Sequence, residues 1–198
     1  MNRLTKTLNN LKKNNKKALV AYLVAGDPDL DSTLDLMKIF VEAGVDVIEI
    51  GVPFTDPIAE GPIIQRAHDR ALDNNISLQK IYEMVKNYRK YDDETPLVLM
   101  GYLNTFIFNK KLIEDNQNNV IDSVLVVDIP GELNLKDYGV YNSNINTISL
   151  ISPTTKKDRV ESIAKNSSGF VYYVTLRGVT GASNLDAVSY THLRAHET

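Results

Sequence analysis

The feature of the sequence that most constrains its fold is the alternation of short apolar runs with segments of helical periodicity. Apolar runs predict six strands, at residues 18–24, 45–51, 96–100, 121–127, 145–151 and 170–175. Most of these runs are rich in β-branched residues and apolar on both faces, which is typical of parallel strands that helices cover on both sides. Six such strands with helical patterns between them favour a parallel α/β fold.

Helix signals occupy the segments between the runs. Apolar residues at helical spacing predict a helix over residues 32–43 that stops at Gly44, and Ser77 is predicted to cap the next helix. Thr105 is predicted to open another helix, and Thr155 and Asp158 have the spacing of a capping box ahead of the last one.

Two architectures fit this alternation, a doubly wound sheet and a TIM (β/α)8 barrel. Neither a G-x-G-x-x-G fingerprint after the first strand nor a Walker A sequence occurs, which weakens the nucleotide-binding form of the doubly wound fold. A barrel typically needs about 250 residues, so this chain of 198 residues is expected to hold about six of eight β/α units. We predict one incomplete barrel domain at residues 1–187 and a non-native tail at residues 188–198.

Composition excludes several classes of protein. The chain has no cysteine, so disulfides, thiolate catalysis and cysteine-ligated metal centres are excluded. No apolar run approaches the roughly 20 residues that span a bilayer, and the first residues lack the apolar core of a signal peptide. We therefore expect a cytoplasmic protein that does not bind membranes.

The amino-terminal arm is strongly basic, with six basic and no acidic residues among the first 17. Such an arm could bind nucleic acid, but Leu4, Leu8 and Leu11 fall at helical spacing, so one face can pack while the lysines face water. Because the rest of the chain is acidic, we predict no nucleic-acid binding.

Glu49 is the strongest candidate for chemistry, because it lies inside an apolar strand between Ile48 and Ile50. Burial raises the pKa of a carboxyl group and makes it a usable acid or base near neutral pH, although a buried glutamate can also belong to a structural ion pair. A loop stiffened by three prolines follows at residues 53–62, and it carries Asp56 and Glu60. Asp56 could equally cap a turn.

Weaker signals lie at the ends of other strands. Tyr22 and Tyr102 could line an aromatic pocket for a flat ring, or be ordinary rim residues. Asp128 could orient a substrate or satisfy backbone donors. The segment RGVTG at residues 177–181 could bind phosphate through its backbone amides, or be an ordinary glycine turn.

Residues 49–65 (EIGVPFTDPIAEGPIIQ) closely resemble the motif E-x-G-x-P-F-[ST]-D-P-x-A-[DE]-G-P-x-I-Q of the tryptophan synthase α-subunit family. The segments AGDP at 25–28, GYLN at 101–104, DIP at 128–130 and GVTG at 178–181 occur in the family's order. The resemblance covers residues 1–187 and implies the (β/α)8 barrel, in place of the doubly wound sheet.

The resemblance also implies roles for particular residues. Glu49 matches the catalytic acid and base, and Glu60 matches the second catalytic carboxylate, where the family usually has Asp. Thr180 and Gly181 fall in the loop after the sixth strand, with Gly181 near the substrate phosphate. The positions that line the indole pocket are Tyr22, Met100, Tyr102, Leu125 and Tyr172.

The implied reaction is the retro-aldol cleavage of indole-3-glycerol phosphate to indole and glyceraldehyde 3-phosphate. The α subunit is expected to use no cofactor and no metal, and its partner is expected to be a β subunit that holds pyridoxal phosphate in an α2β2 tetramer. Two alternatives are a barrel lyase or isomerase of another sugar phosphate and a non-catalytic partner that only activates a β subunit. His192 and His196 have a spacing that could bind metal on a helix, but no third ligand is evident.

Overall fold

The computed structural model describes residues 2–116 and 119–174, which form a parallel sheet flanked by helices. The strands are β1 (Val20–Val24), β2 (Val47–Gly51), β3 (Leu97–Gly101), β4 (Ser123–Val126), β5 (Asn146–Ile151) and β6 (Val171–Tyr173). The α-helices are α1 (Arg3–Lys13), α2 (Leu30–Glu42), α3 (Pro62–Asp73), α4 (Leu78–Tyr88), α5 (Leu103–Phe108), α6 (Lys110–Asp115) and α7 (Lys157–Asn166). A short 3₁₀ helix lies at Leu135–Tyr138.

The strand order identifies the architecture. All six strands are parallel, and each pairs with the next one along the chain, in the order β1-β2-β3-β4-β5-β6. A doubly wound sheet would reverse its direction of growth at a switch point, and this sheet does not. The described residues therefore form six consecutive parallel strands of a (β/α)8 barrel with helices between them, and the predicted fold class is confirmed.

Side chains alternate between two apolar layers along each strand. Ile48 and Ile50 of β2 face outward, in the layer that also holds Met37 of α2 and Ile81 of α4. The inner layer, inside the barrel, holds Val47, Val98, Leu125 and Ile148, together with Leu4 of α1. Glu49 lies between Ile48 and Ile50 on β2, so its side chain belongs to the inner face.

One face of the amino-terminal arm packs against the inner layer through Leu4 and Leu8, as the leucine spacing predicted. Leu4 is fully buried, and Arg3 lies beside the buried carboxylate of Asp122 at 3.3 Å. Asp122 also accepts hydrogen bonds from Arg89 at 2.8 Å and from the backbone N–H of Leu97 at 2.9 Å. The basic arm is thus a structural part of the domain.

Two predicted helix ends are confirmed, and α2 starts earlier than its pattern suggested. Gly44 has a φ of 90°, which glycine adopts without strain, and it follows the last turn of α2. Ser77 caps α4 by accepting a hydrogen bond from the N–H of Lys80. Asp29 caps α2 by accepting from the N–H of Ser32 at 2.7 Å.

Two other helix starts were predicted wrongly. Thr105 does not open a helix, because α5 begins at Leu103, whose N–H donates to Asp128 Oδ1 at 2.8 Å. Nor do Thr155 and Asp158 form a capping box. The hydroxyl of Thr155 accepts instead from the N–H of Ser152 at 2.9 Å, in the turn before α7.

Helix α3 begins at Pro62, at the end of the proline-rich loop of residues 53–62. Proline suits the first position of a helix because its missing N–H would have no partner there. None of the helices in the described ranges is both long enough and apolar enough to span a membrane. The predictions for residues 177–181, for His192 and His196 and for the boundary at residues 187 and 188 lie outside the described residues.

Candidate active site

Glu49 lies at the inner face of β2, near the carboxyl end of the strand. It is 4% exposed and sits in register between Tyr22 of β1 and Val98 of β3. The pKa of Glu49 is raised from 4.5 to about 7, mainly by burial and to a smaller extent by the negative charge of Glu60. Within the described ranges no basic side chain forms an ion pair with Glu49, so the interpretation of a structural ion pair is not supported there.

Glu60 ends the proline-rich loop and lies one residue before the N-cap of α3. Its side chain is buried, with 2% of the residue exposed. The backbone around it is fixed on both sides, because the N–H of Glu60 donates to Pro57 O at 3.0 Å and Gln65 Nε2 donates to Glu60 O at 2.8 Å. The fold thus brings together the two carboxylates that the sequence singled out.

Tyr22 lies directly over Gly51, at the end of β2. A Cβ atom added to Gly51 would come within 2.8 Å of Tyr22 Cζ, so only glycine leaves room for the phenol ring. The pKa of Tyr22 is raised by burial and then by the charges of Glu60 and Glu49. Its hydroxyl therefore stays protonated and can donate a hydrogen bond beside the two carboxylates.

Tyr102 supports the loop that carries Glu60. Its ring stacks on Phe54, with the ring centroids 4.5 Å apart, and its hydroxyl accepts a hydrogen bond from the N–H of Ala59 at 3.0 Å. Burial raises the pKa of Tyr102. The residue therefore both borders the site and holds the loop one residue before Glu60.

The remaining predicted pocket residues lie on neighbouring strands. Tyr172 of β6 is 38% exposed, and burial of part of its ring and the charges of Glu49 and Glu60 raise its pKa. Met100 pairs in register with Gly51 on one side and with Leu125 on the other, and Leu125 is 1% exposed in the inner layer. Thr180 and Gly181 lie outside the described residues, and their roles remain predictions.

A narrow crevice lies at the top of this arrangement. It is lined by residues from β1, from the ends of β2 and β3 and from the loop and helix that follow β2, among them Tyr22, Gly51, Glu60, His68, Met100 and Tyr102. Three of the predicted pocket residues (Tyr22, Met100 and Tyr102) and the predicted carboxylate Glu60 thus line the same crevice. In (β/α)8 enzymes this end of the strands is the catalytic face.

Two acidic residues that the sequence left open have backbone roles. Asp128 accepts from the N–H of Leu103 at 2.8 Å, so it satisfies a backbone donor. Asp56 is exposed, and it accepts a hydrogen bond from the hydroxyl of Thr55 while its backbone oxygen accepts from the N–H of Ile58. Asp56 therefore helps to shape the loop.

His68 of α3 is a site residue that sequence reasoning missed. It is 2% exposed, lines the crevice and accepts a hydrogen bond at Nδ1 from the N–H of Phe54 at 3.0 Å. The one available signal was its position among Ala67 and Ala71 on the buried face of α3. A lone histidine on such a face does not by itself indicate a site.

The fold and this site define a (β/α)8-barrel enzyme of the acid–base type, with a protonatable carboxyl group on β2 and a second carboxylate above it. Comparison with known proteins identifies the family. The family model described as tryptophan synthase alpha chain matches residues 8–195. The tryptophan synthase alpha chain of Thiobacillus denitrificans is 45% identical over 189 residues, which cover 94% of this chain and 69% of that protein. The chain belongs to the tryptophan synthase alpha chain family.

Further relatives agree with this assignment. The alpha chain of Neisseria meningitidis serogroup B is 48% identical over 178 residues, covering 86% of this chain and 66% of that protein. The crystal structure of tryptophan synthase subunit alpha from Legionella pneumophila superposes with a TM-score of 0.85 at 38% identity, covering 98% of this chain and 74% of that one. A chain of the tryptophan synthase α2β2 complex from Pyrococcus furiosus superposes with a TM-score of 0.78 at 36% identity, covering 89% of this chain and 72% of that one.

Proposed function

We propose that this chain catalyses the alpha reaction of tryptophan synthase, the cleavage of indole-3-glycerol phosphate to indole and glyceraldehyde 3-phosphate, through Glu49 and Glu60. Membership of the family supports the reaction. The observation that carries the residue assignment is the buried carboxyl group of Glu49, whose pKa is raised to about 7 at the catalytic end of the barrel. A group with this pKa can both give and take a proton near neutral pH.

The proposed chemistry is proton transfer without a cofactor in this chain. The bond between indole C3 and the glycerol chain breaks after C3 is protonated, and a proton leaves the glycerol hydroxyl as the aldehyde forms. Glu49 is placed to move these protons, because it is buried among apolar side chains and protonatable at neutral pH. Glu60 would accept a hydrogen bond from the indole N–H and stabilise the positive charge that develops on the ring.

The pocket residues fit a flat aromatic substrate. Tyr22, Tyr102 and Tyr172 are brought close to the two carboxylates, and Met100 and Leu125 supply apolar surface on the neighbouring strands. Thr180 and Gly181 are proposed to hold the substrate's phosphate end through the loop after β6. Membership of the tryptophan synthase alpha chain family disfavours both alternatives. These were a barrel lyase or isomerase of another sugar phosphate, and a non-catalytic partner that only activates a β subunit.

We further propose that the protein binds a β subunit that holds pyridoxal phosphate, in a cytoplasmic α2β2 tetramer. The Pyrococcus furiosus relative is described as mutually activated in such a complex. On this chain the segment after β3 exposes two large apolar side chains that line an apolar groove, Ile107 at 40% and Phe108 at 91%. Ile58, in the loop before Glu60, is 75% exposed. Exposed apolar side chains clustered in this way mark a surface suited to a protein partner.

The proposed reaction is tested directly with the full-length protein expressed from its own reading frame. Incubation with indole-3-glycerol phosphate should release indole and glyceraldehyde 3-phosphate in equal amounts, without added cofactor or metal. A parallel incubation with chelator should give the same rate. Absence of indole, both alone and with a β subunit present, would overturn the proposal.

A further inference from the structure

His68 makes a contact that determines its protonation state. Its Nδ1 atom accepts a hydrogen bond from the N–H of Phe54 at 3.0 Å, so Nδ1 carries no proton. A neutral imidazole with an accepting Nδ1 holds its hydrogen on Nε2. Burial lowers the pKa of His68, which favours this neutral form.

The other nitrogen of the ring is buried and without a hydrogen-bond partner among the described residues. A buried donor left without a partner lowers the stability of the fold. The chain nevertheless places a histidine here, where an apolar side chain would avoid that cost. We therefore expect the hydrogen bond from the N–H of Phe54 to Nδ1 to offset this cost.

That contact holds the loop which carries Glu60. Phe54 lies near the start of this loop and Ala59 near its end, and the N–H groups of the two residues are held by His68 and by Tyr102 respectively. The ring of Phe54 also stacks on the ring of Tyr102. Since His68 and Tyr102 both line the crevice with Glu60, the two side chains form one support on which the loop rests.

We propose that His68 is a positioning residue for the alpha reaction, which fixes the Glu60 loop by accepting the N–H of Phe54 at Nδ1. The proposal rests on the proposed role of Glu60. The titratable groups that share the crevice with His68 are Tyr22, Glu60 and Tyr102, and Asp69 lies beside it on α3. Loss of the Nδ1 acceptor would let the loop shift, and a shift of about 1 Å at a catalytic group can lower the rate about 100-fold.

Two substitutions of His68 by side chains of nearly equal size distinguish the hydrogen bond at Nδ1 from a packing role of the ring. In His68→Asn the side-chain oxygen can take the place of Nδ1 and accept from Phe54, whereas His68→Leu has no acceptor. We expect kcat of the full-length protein to fall by about 10- to 100-fold in the leucine variant and by less than about 5-fold in the asparagine variant, with KM changed much less than kcat in both. Equal kcat values in the two variants would overturn the proposal.

A second measurement is independent of turnover and of any variant that might fail to fold. Nitrogen-15 NMR of the full-length wild-type protein with labelled histidine should show His68 neutral at pH 7, with its hydrogen on Nε2. A hydrogen on Nδ1, or a charged ring, would rule out acceptance from Phe54. Wild-type protein that shows this tautomer but releases no indole would instead count against the proposed function, so the two failures can be told apart.

Discussion

The buried carboxylate of Glu60 helps to raise the pKa of Glu49, although the two residues lie 11 positions apart on different elements. Glu49 belongs to β2, and Glu60 ends the loop that returns over the same strand. Burial contributes more to the raised pKa than the charge of Glu60 does. The buried position of Glu49 on β2 is therefore the main cause of its raised pKa, and Glu60 adds to it through its charge.

The first prediction concerns turnover. In the full-length protein, Glu49→Gln should lower the rate of indole release by about 10²–10⁴-fold, because the amide cannot transfer the proton. Glu83→Gln on α4 is the matched control, since Glu83 is exposed and pairs only with its helix neighbours Gln79 and Lys86 among the described residues. Turnover of Glu49→Gln within a few fold of the control would contradict the assignment.

The second prediction concerns the pH dependence of stability. The pKa of Glu49 is raised from 4.5 in the unfolded chain to about 7 in the folded protein. The folded state therefore keeps a proton that the unfolded state loses between these values, so this contribution to stability is full below about pH 4.5 and is lost as the pH rises through 7. Glutamine does not titrate, so the Glu49→Gln variant should not show this loss of stability as the pH rises.

Urea unfolding of wild type and Glu49→Gln at about pH 5 and about pH 8.5 measures the effect. The free energy of unfolding of the variant, relative to wild type, should rise by roughly 1–3 kcal/mol between the two pH values. A difference that stays constant, or that changes in the opposite direction, would show that Glu49 is not protonated in the folded protein near neutral pH.

The sequence alone predicts some of these site residues and misses others. The strands and Glu49 were predictable, because a carboxylate within a β-branched apolar run stands out in the chain. The role of His68 was not, because its partner is a backbone N–H that the loop brings to it from 14 residues away. The same reason accounts for the wrong helix start at Thr105, since the N–H of Leu103, at the start of α5, donates to Asp128, which lies 25 residues away after β4.

The third prediction concerns the length of the second carboxylate. Glu60→Ala should lower turnover strongly, because the indole N–H would lose its charged acceptor. Glu60→Asp should retain activity within about 10-fold, about 1.4 kcal/mol, since aspartate is the family's usual residue there. Steady-state assays of the two variants side by side decide the point. An aspartate variant as inactive as the alanine variant would mean that this chain uses Glu60 differently.

The fourth prediction concerns the contact between Gly51 and Tyr22. Gly51→Ala should displace the ring of Tyr22 and destabilise the protein by about 1–3 kcal/mol. Gly101→Ala at the end of β3 is the matched control, because the nearest atoms to its added Cβ would be those of the Phe106 ring at 3.3 Å and Val52 Cβ at 3.5 Å. Thermal unfolding should show a clearly larger loss for the first variant, and the loss caused by Gly51→Ala should be smaller when it is made in a Tyr22→Ala background. If the two glycine variants lose equal stability, the crowding over Gly51 is not significant.

The last prediction concerns the surface proposed to bind a β subunit. Phe108 is 91% exposed at the end of α5, next to the groove that Pro53 and Phe54 border. A partner that covers this groove would bury the phenylalanine, so a charge in its place would be desolvated without a counter-charge. Phe108→Asp should therefore raise the Kd for the β subunit by at least about 10-fold, equivalent to about 1.4 kcal/mol, and reduce the activation of indole release at a fixed concentration of β subunit.

Tyr141→Asp is the control, because Tyr141 is 63% exposed but lies before β5, at the opposite end of the strands. Titration of each variant with the β subunit of the same organism, followed by calorimetry and by indole release, measures both effects. If Phe108→Asp binds and is activated as well as Tyr141→Asp, the contact with the β subunit lies on another face of the barrel.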